Sequence, residues 1–377
     1  MDANIFVLVD ALGWEWIRGQ PFLQTVAPYR CRLESVLGYS TAAIPSILSG
    51  RYPDEHGRLS LFQRALGTSP FASIRWLCEM PPALVENRYV RYFAREMVRR
   101  LHHFGGWFHF LGIPLRYLPL LDVSETLDIY QPGGIPGTES IFDILASRRT
   151  NYAVYTYHDG SNLELIGQMK ADLRKRESSF YFLYLDGVDG FLHRHANDRA
   201  SAEACLHRYS ALIVNLYESA RSHYSAVRLH VFGDHGMAPT RKVVNIQKRM
   251  DGLRVRAPED YLCVLDSTMA RFWFFSERAR QEVMSVFHEE DGGEWLDETS
   301  LRSLRAWFED RRYGQEIYLM PEGTVIVGSG PREIVPGGMH GFHPSTLHSP
   351  SAFLSSVDYG NRLSHITDMY GVMAEYA

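Results

Sequence analysis

Carboxylates and imidazoles recur in this chain at the ends of apolar runs. Ile5-Phe6-Val7-Leu8-Val9 stops at Asp10, and Phe180-Tyr181-Phe182-Leu183-Tyr184-Leu185 stops at Asp186, with Asp189 and His193 just beyond. The run from Val227 to Phe232 leads through Gly233 to Asp234-His235. Asp189 and His193 are four residues apart, so on a helix they face the same way and can grip one ion. A helix cap beside a surface histidine is the plain alternative for that pair. Adjacent Asp234 and His235 diverge, and a tight turn at Gly236 can aim them at one metal or at two neighbouring ones. His340 lies in Gly337-Gly338-Met339-His340-Gly341-Phe342, whose glycines let the backbone approach a site closely. Carboxylate oxygens and imidazole nitrogens without a thiolate suit zinc or manganese.

A hydroxyl pair adds a nucleophile to this set. Ser40-Thr41 stands before the mostly apolar stretch Ala42 to Leu48 and opens a helix there. Taken alone, such a pair is an N-cap. The unpaired amides and the dipole at that end also favour an anion. A hydroxyl held there beside a cation can attack phosphorus.

The elements that must position these groups follow from the same runs. Short β-rich runs of this kind read as buried strands of a parallel sheet, and in open α/β sheets ligands collect outside the carboxyl ends of the strands. Residues 1–60 read as strand, helix, strand, helix. Tyr152-Ala153-Val154-Tyr155 is a further strand, followed by a helix from Asn162, and Ala200 to Tyr217 has helical apolar spacing. The expected fold class is therefore α/β, a mostly parallel central sheet with helices on both faces. Arg271–Phe275 and Thr324–Val327 are additional strands. One domain spanning 1–377 is expected, with a cap inserted at 61–135 and a smaller subdomain or second insertion at 240–335. Within the cap, Arg88 to Phe104 has helical spacing, with Arg88, Arg91, Arg95, Arg99 and His102 on one side and Val90, Phe93, Met97, Leu101 and Phe104 on another. Its basic face is either simply solvated, or meets an anionic membrane surface together with the aromatic stretch that runs to Leu121, or steers an anionic substrate.

At 377 residues the chain can hold one large α/β domain with insertions or two domains. A formal charge of −5 gives no support to nucleic-acid binding. No apolar run reaches the roughly 18 residues of a spanning helix, and the start Met1-Asp2, with Asp10 closing the first apolar run, does not read as a signal peptide. Cys31, Cys78, Cys205 and Cys263 are scattered without a Cys-x-x-Cys pair, which reads as reduced thiols in a cytoplasmic protein, peripheral to a membrane at most. The oligomeric state is not set by these features.

In order and spacing the motifs resemble those of the alkaline phosphatase superfamily, most closely its nucleotide pyrophosphatase/phosphodiesterase branch. In that branch a strand-end Asp precedes a nucleophile, and then a segment ending Thr-Gly-x-Tyr-Pro-x-x-His-Gly. The matching segment here is Ser49-Gly50-Arg51-Tyr52-Pro53-Asp54-Glu55-His56-Gly57. Counting back without a gap puts the nucleophile at Ser40, with Thr41 as the alternative. The family's Asp-x-x-Gly-His resembles Asp189-Gly190-Phe191-Leu192-His193. Its Ser-Asp-His-Gly-Met is similar to Gly233-Asp234-His235-Gly236-Met237, and its late Gly-x-His-Gly-Tyr to Gly338-Met339-His340-Gly341-Phe342.

The resemblance implies a two-metal hydrolase of phosphate esters, most like a phosphodiesterase or nucleotide pyrophosphatase, with a small phosphate ester or nucleotide-type substrate and a phosphoseryl intermediate. It implies two divalent ions, zinc or else manganese. Asp10, Ser40, Asp234 and His235 would hold one, and Asp189, His193 and His340 the other. Asp186 then reads as a turn or supporting residue, and His56, His158, His195 and His343 as loop or supporting histidines. The chain departs from the pattern in having Ser for the usual Thr nucleophile, and Leu61 where the family carries a phosphate-binding Asn, with Ser60, Gln63 or Arg58 as substitutes nearby. Sulfatases are excluded, since Ser40-Thr41-Ala42-Ala43-Ile44 lacks their Pro and Arg. A cofactor-independent phosphoglycerate mutase needs a longer chain. A phosphomonoesterase, a phosphonate hydrolase, and a phosphotransferase to an alcohol or lipid-linked acceptor through residues 88–121 stay open. A non-enzymatic binding role is disfavoured by the presence of every expected ligand type.

Overall fold

Ile5 to Val9 are wholly withdrawn from solvent, as a strand paired along both edges and covered on both faces must be. The computed structural model describes residues 2–110, 112–327 and 335–377, so Leu111 of the aromatic stretch lies outside the described residues. A six-stranded sheet forms from β1 (Asp2–Val9), β2 (Tyr29–Leu33), β3 (Tyr152–Tyr155), β4 (Phe180–Leu185), β5 (Ala226–Phe232) and β6 (Ser351–Ser355), in the spatial order β2-β6-β5-β1-β4-β3. β1 pairs in parallel with β4 on one side and β5 on the other, and β3 pairs in parallel with β4. Only β6 runs against its neighbours β5 and β2. The sheet is thus the mostly parallel one expected, and β6 is the strand that the apolar pattern did not announce.

Alternation along β1 assigns each face its cover. Ala3, Ile5, Val7 and Val9 join Leu183, Leu185, Leu229 and Val231 in one core, closed by Leu165, Met169 and Leu173 of the Asn162–Lys175 helix and by Ile213 and Leu216 of the Arg199–Arg221 helix. On the other face Phe6 stacks on Phe180 at 4.8 Å and on His230 at 4.6 Å, and Phe182 meets Phe142 edge-on at 5.5 Å. His230 is completely buried there and its pKa is pushed down to about 3, by burial first and the Arg228 charge second. It is a neutral ring of the core.

The chain divides into two compact units, one of residues 1–56, 130–240 and 336–377, the other of residues 57–129 and 241–335. The second unit has its own antiparallel sheet, in the order Tyr261–Leu265, Met269–Phe274, Glu316–Leu319, Glu294–Leu296. Arg271 is buried in it without exposure, bound to Asp266 at 2.9 Å, to the Phe62 carbonyl at 2.7 Å and to Ser60 Oγ at 3.1 Å. A buried guanidinium needs such a set of acceptors. Leu61 beside it is buried as well. The basic helix runs Arg88–Leu101, capped by Asn87 Oδ1, which accepts from the amides of Tyr89 and Val90. Its buried residues correct the expected apolar side. Ala94 and Val98 are inside, while Phe93 and Leu101 are outside. The helix packs against the Pro70–Ile74 turn, and close approach to that turn takes small side chains. Among the described residues, no helix is long and apolar enough to cross a membrane, and all four cysteines are free.

Phe6→Ala should cost about 3–5 kcal/mol of stability, read from urea unfolding. A loss under about 1 kcal/mol would mean that this aromatic layer does not close the sheet.

Candidate metal centre

Register brings the chemistry to one level. Val9 pairs with Leu185 and Leu8 with Phe232, so β1, β4 and β5 release the chain side by side at their carboxyl ends. Asp10 leaves β1 there, Asp234 follows β5 after Gly233, and β4 leads into helix α2 (Gly187–His195), which carries Asp189 and His193 one turn apart. A further helix, α1 (Ser40–Ser49), begins at Ser40 after Tyr39 in extended conformation, without a side-chain cap, and ends at Gly50 with φ of 67°. The Ser-Thr pair is therefore inside the first turn, not the cap it would be by default.

Close approaches around the site require glycine, Gly236 and Gly338 among them. A Cβ at Gly236 would lie 1.9 Å from the His348 carbonyl oxygen, and one at Gly338 would lie 2.4 Å from Ala196 Cβ. The second contact seats the His340 loop against the end of α2. There the Gly337 amide donates to the His193 carbonyl at 2.7 Å, and His193 Nδ1 donates to the Gly338 carbonyl at 3.0 Å.

The donor atoms fall into two groups, Asp10 with Asp234 and His235, and Asp189 with His193 and His340, and within each group they lie within 4.8 Å of one another. His235 Nε2 is 2.9 Å from Ser40 Oγ, 3.1 Å from Asp234 Oδ2 and 3.5 Å from Asp10 Oδ1. Asp189 Oδ1 is 3.2 Å from His193 Nε2 and 3.6 Å from His340 Nε2. The His235 and His340 rings stack at 3.7 Å, which makes the groups neighbours. A serine–histidine–aspartate relay needs hydroxyl and carboxylate on opposite ring nitrogens. Here both converge on the same nitrogen of His235, while Nδ1 donates to the Gly236 carbonyl at 2.9 Å. With Nδ1 fixed as donor in His235 and His193, each Nε2 lone pair points inward, the usual second contact of a metal-binding imidazole. Asp10 Oδ1, Asp189 Oδ1 and Asp234 Oδ2 are buried atoms with no hydrogen bond among the described residues. These orphaned oxygens, with imidazole nitrogens and no thiolate, fit divalent cations of the zinc or manganese type.

Charge in the pocket is strongly skewed. Burial, then Asp234 and Asp189, raise the Asp10 carboxyl well above its ordinary range. For His235 burial opposes protonation, yet Asp234, Asp10 and Asp189 outweigh it and push the pKa up to about 10. His340 is held well below the ordinary histidine value by burial and by His235 and His193. The same carboxylates that draw a proton to His235 would draw a divalent cation in its place, which would leave Nε2 free as a ligand.

Comparison with known proteins now decides the kinship. The family model for type I phosphodiesterase/nucleotide pyrophosphatase matches residues 125–342, more than half of the chain. The chain belongs to this family. It is a phosphoric diester hydrolase by that membership, and the family is metal-dependent. Asp189, His193, Asp234, His235 and His340 fall inside the matched segment, whereas Asp10 and Ser40 precede it. Human ectonucleotide pyrophosphatase/phosphodiesterase 5 superposes with a TM-score of 0.68 at 11% identity, over 99% of this chain and 94% of that one. The murine protein of the same name, in an inactive form in complex with AMP, gives 0.68 at 13% identity, over 100% of this chain and 96% of that one. Such identities speak for the alkaline-phosphatase-like fold alone. No curated protein matches the sequence.

The other candidates sit outside the two donor groups. Asp186 is exposed and receives a hydrogen bond from Asn162, which also accepts from the Gly187 amide at 3.1 Å, so it helps to seat the start of α2. His56 meets Ser46 Oγ of α1 at 2.9 Å. His158 and His195 are exposed, and His343 Nδ1 meets Ser345 Oγ at 2.7 Å within its own loop. Thr41 Oγ1 is buried with no hydrogen bond among the described residues. Sequence reasoning missed Tyr184, a fully desolvated phenol of β4 that donates to Asp10 Oδ2 and leaves Oδ1 to face the group. Its only sequence signal was a hydroxyl near the end of a buried strand. Tyr184→Phe should weaken divalent-metal binding by about 10–100-fold, read with zinc as the probe in a chelator competition. Unchanged affinity would show that Asp10 is oriented without it.

Proposed function

We propose that the chain hydrolyses nucleotide-type phosphodiesters or pyrophosphates through a phosphoseryl intermediate on Ser40, with two divalent metal ions at the two donor groups. The observation that carries this is the meeting of Ser40 Oγ, Asp10, Asp234 and His235 Nε2 at the first turn of α1. Asp10, Asp234, His235 and Ser40 would hold one ion, and Asp189, His193 and His340 the other, zinc by their chemistry with manganese as the alternative. Such ions supply Lewis-acid polarisation of phosphoryl oxygens and lower the pKa of a coordinated hydroxyl.

The residues of the chain do the remaining work. Ser40 Oγ bonds to phosphorus as the bond from phosphorus to the leaving oxygen breaks, and the proton that Ser40 gives up passes through solvent to that leaving oxygen. Water then displaces Ser40 Oγ from phosphorus and restores the hydroxyl. The amides and dipole at the start of α1 favour the negative charge that builds on the phosphoryl oxygens. His235 and His193 keep Nδ1–H on backbone carbonyls and so present a fixed nitrogen throughout. The AMP complex of the murine relative supports a nucleotide phosphoryl group as the reacting moiety. The four free cysteines support a cytoplasmic setting.

Ser40→Ala should lower turnover of bis(4-nitrophenyl) phosphate at least about a thousandfold, with zinc content by elemental analysis largely retained through the remaining ligands. Thr41→Ala should keep most of the activity; the reverse pattern would move the nucleophile to Thr41. A panel of diesters, monoesters and phosphonates should be turned over fastest as diesters. Faster monoester turnover, or capture of the phosphoryl group by added alcohols in place of water, would replace the reading with a phosphomonoesterase or a transferase.

A further inference from the structure

Among the described residues nothing covers the outward half of the Arg88–Leu101 helix, and it is unlike the rest of the surface. Of the sixteen exposed large hydrophobic side chains among the described residues, eight lie between Trp76 and Trp107. Trp76 is 57% exposed, Tyr89 70%, Tyr92 61%, Phe93 56% and Leu101 58%. Tyr89, Tyr92, Phe93 and Arg100 share the half of the helix opposite the buried Ala94 and Val98. Single exposed apolar residues need no explanation, but a contiguous group does.

The charge of the segment is opposite to that of the chain. From Arg75 to Arg116 there are seven arginines, no lysine and three glutamates, in a chain with a formal charge of −5. Glutamates pair with Arg75, Arg91, Arg95 and Arg99. Arg88, Arg100 and Arg116 have no carboxylate partner among the described residues. Arg88 lies over the Tyr89 ring at 4.6 Å and Arg95 over the Tyr92 ring at 5.0 Å, so cation and aromatic face present themselves together.

We propose that this face docks the protein on an anionic lipid surface. Aromatic rings would rest at headgroup level and arginines on lipid phosphates, the composition of an interfacial amphipathic helix. A second copy of the chain is disfavoured by charge, because a self-complementary contact sets the same excess of arginine against itself.

Co-sedimentation of the full chain with vesicles of phosphatidylcholine mixed with phosphatidylserine tests this, with phosphatidylcholine alone as the comparison. Binding should be at least about tenfold tighter to the mixed vesicles and should weaken as salt is raised. The double variants Tyr92→Ser with Phe93→Ser, and Arg88→Ser with Arg100→Ser, should each lose about tenfold in binding while melting as the wild type does. Equal binding to both vesicle types, or wild-type binding by both double variants, would overturn the proposal. So would sedimentation velocity showing that the same substitutions dissolve a dimer instead.

Discussion

Pairing of β1 on both edges is the constraint from which the site follows. Because Val9 lies opposite Leu185 and Leu8 opposite Phe232, three strands end at the same height, and the residues that leave them start within reach of one another. A slip of one residue along either ladder would turn Ile5, Val7 and Val9 to the face that holds Phe6. It would also carry Asp10 off the level of α2 and Asp234. The ladder is hard to shift because both faces are occupied, one by the aliphatic core under the long helices and the other by stacked aromatic rings. The same burial that locks the register makes the carboxylates expensive to hold without compensation. Fold stability and the affinity for cations thus have a common source.

Backbone contacts complete what the ladder begins. Gly338 seats its loop directly on the end of α2, and its carbonyl takes the Nδ1–H of His193. One contact therefore brings His340 to Asp189 and orients His193. The Gly236 carbonyl does the same for His235, and Tyr184 does it for Asp10. Orientation is set by main chain and by a phenol within the sheet, all of them more rigid than surface side chains.

Most of the sheet was legible because a strand buried on both faces is written as an unbroken apolar run, as in Ile5–Val9 and Phe180–Leu185. β6 escaped because Ser351 and Ser355 bracket only three apolar residues, and its place between β5 and β2 is a long-range fact. The Arg88–Leu101 helix was legible as a helix, but its inward face was not. Amphipathic spacing ranks faces by hydrophobicity, whereas the turn it packs against admits Ala94 and Val98. Asp186 and Asp189 looked equally placed after one strand. Helix geometry separated them, turning Asp189 toward His340 and leaving Asp186 to Asn162 and solvent.

By itself the sequence determined the donor chemistry, carboxylate and imidazole without thiolate, and the four-residue step that puts Asp189 and His193 on one side of a helix. Those properties are local, carried by residue type and spacing. Tertiary structure alone decided that Ser40, Asp10, Asp234 and His235 meet at one nitrogen, that His340 stacks on His235, and which carboxylate oxygens have no hydrogen bond among the described residues. Each depends on chain segments about a hundred residues or more apart, joined by strand register and by close backbone contact at glycine, and neither is a function of neighbouring residue types.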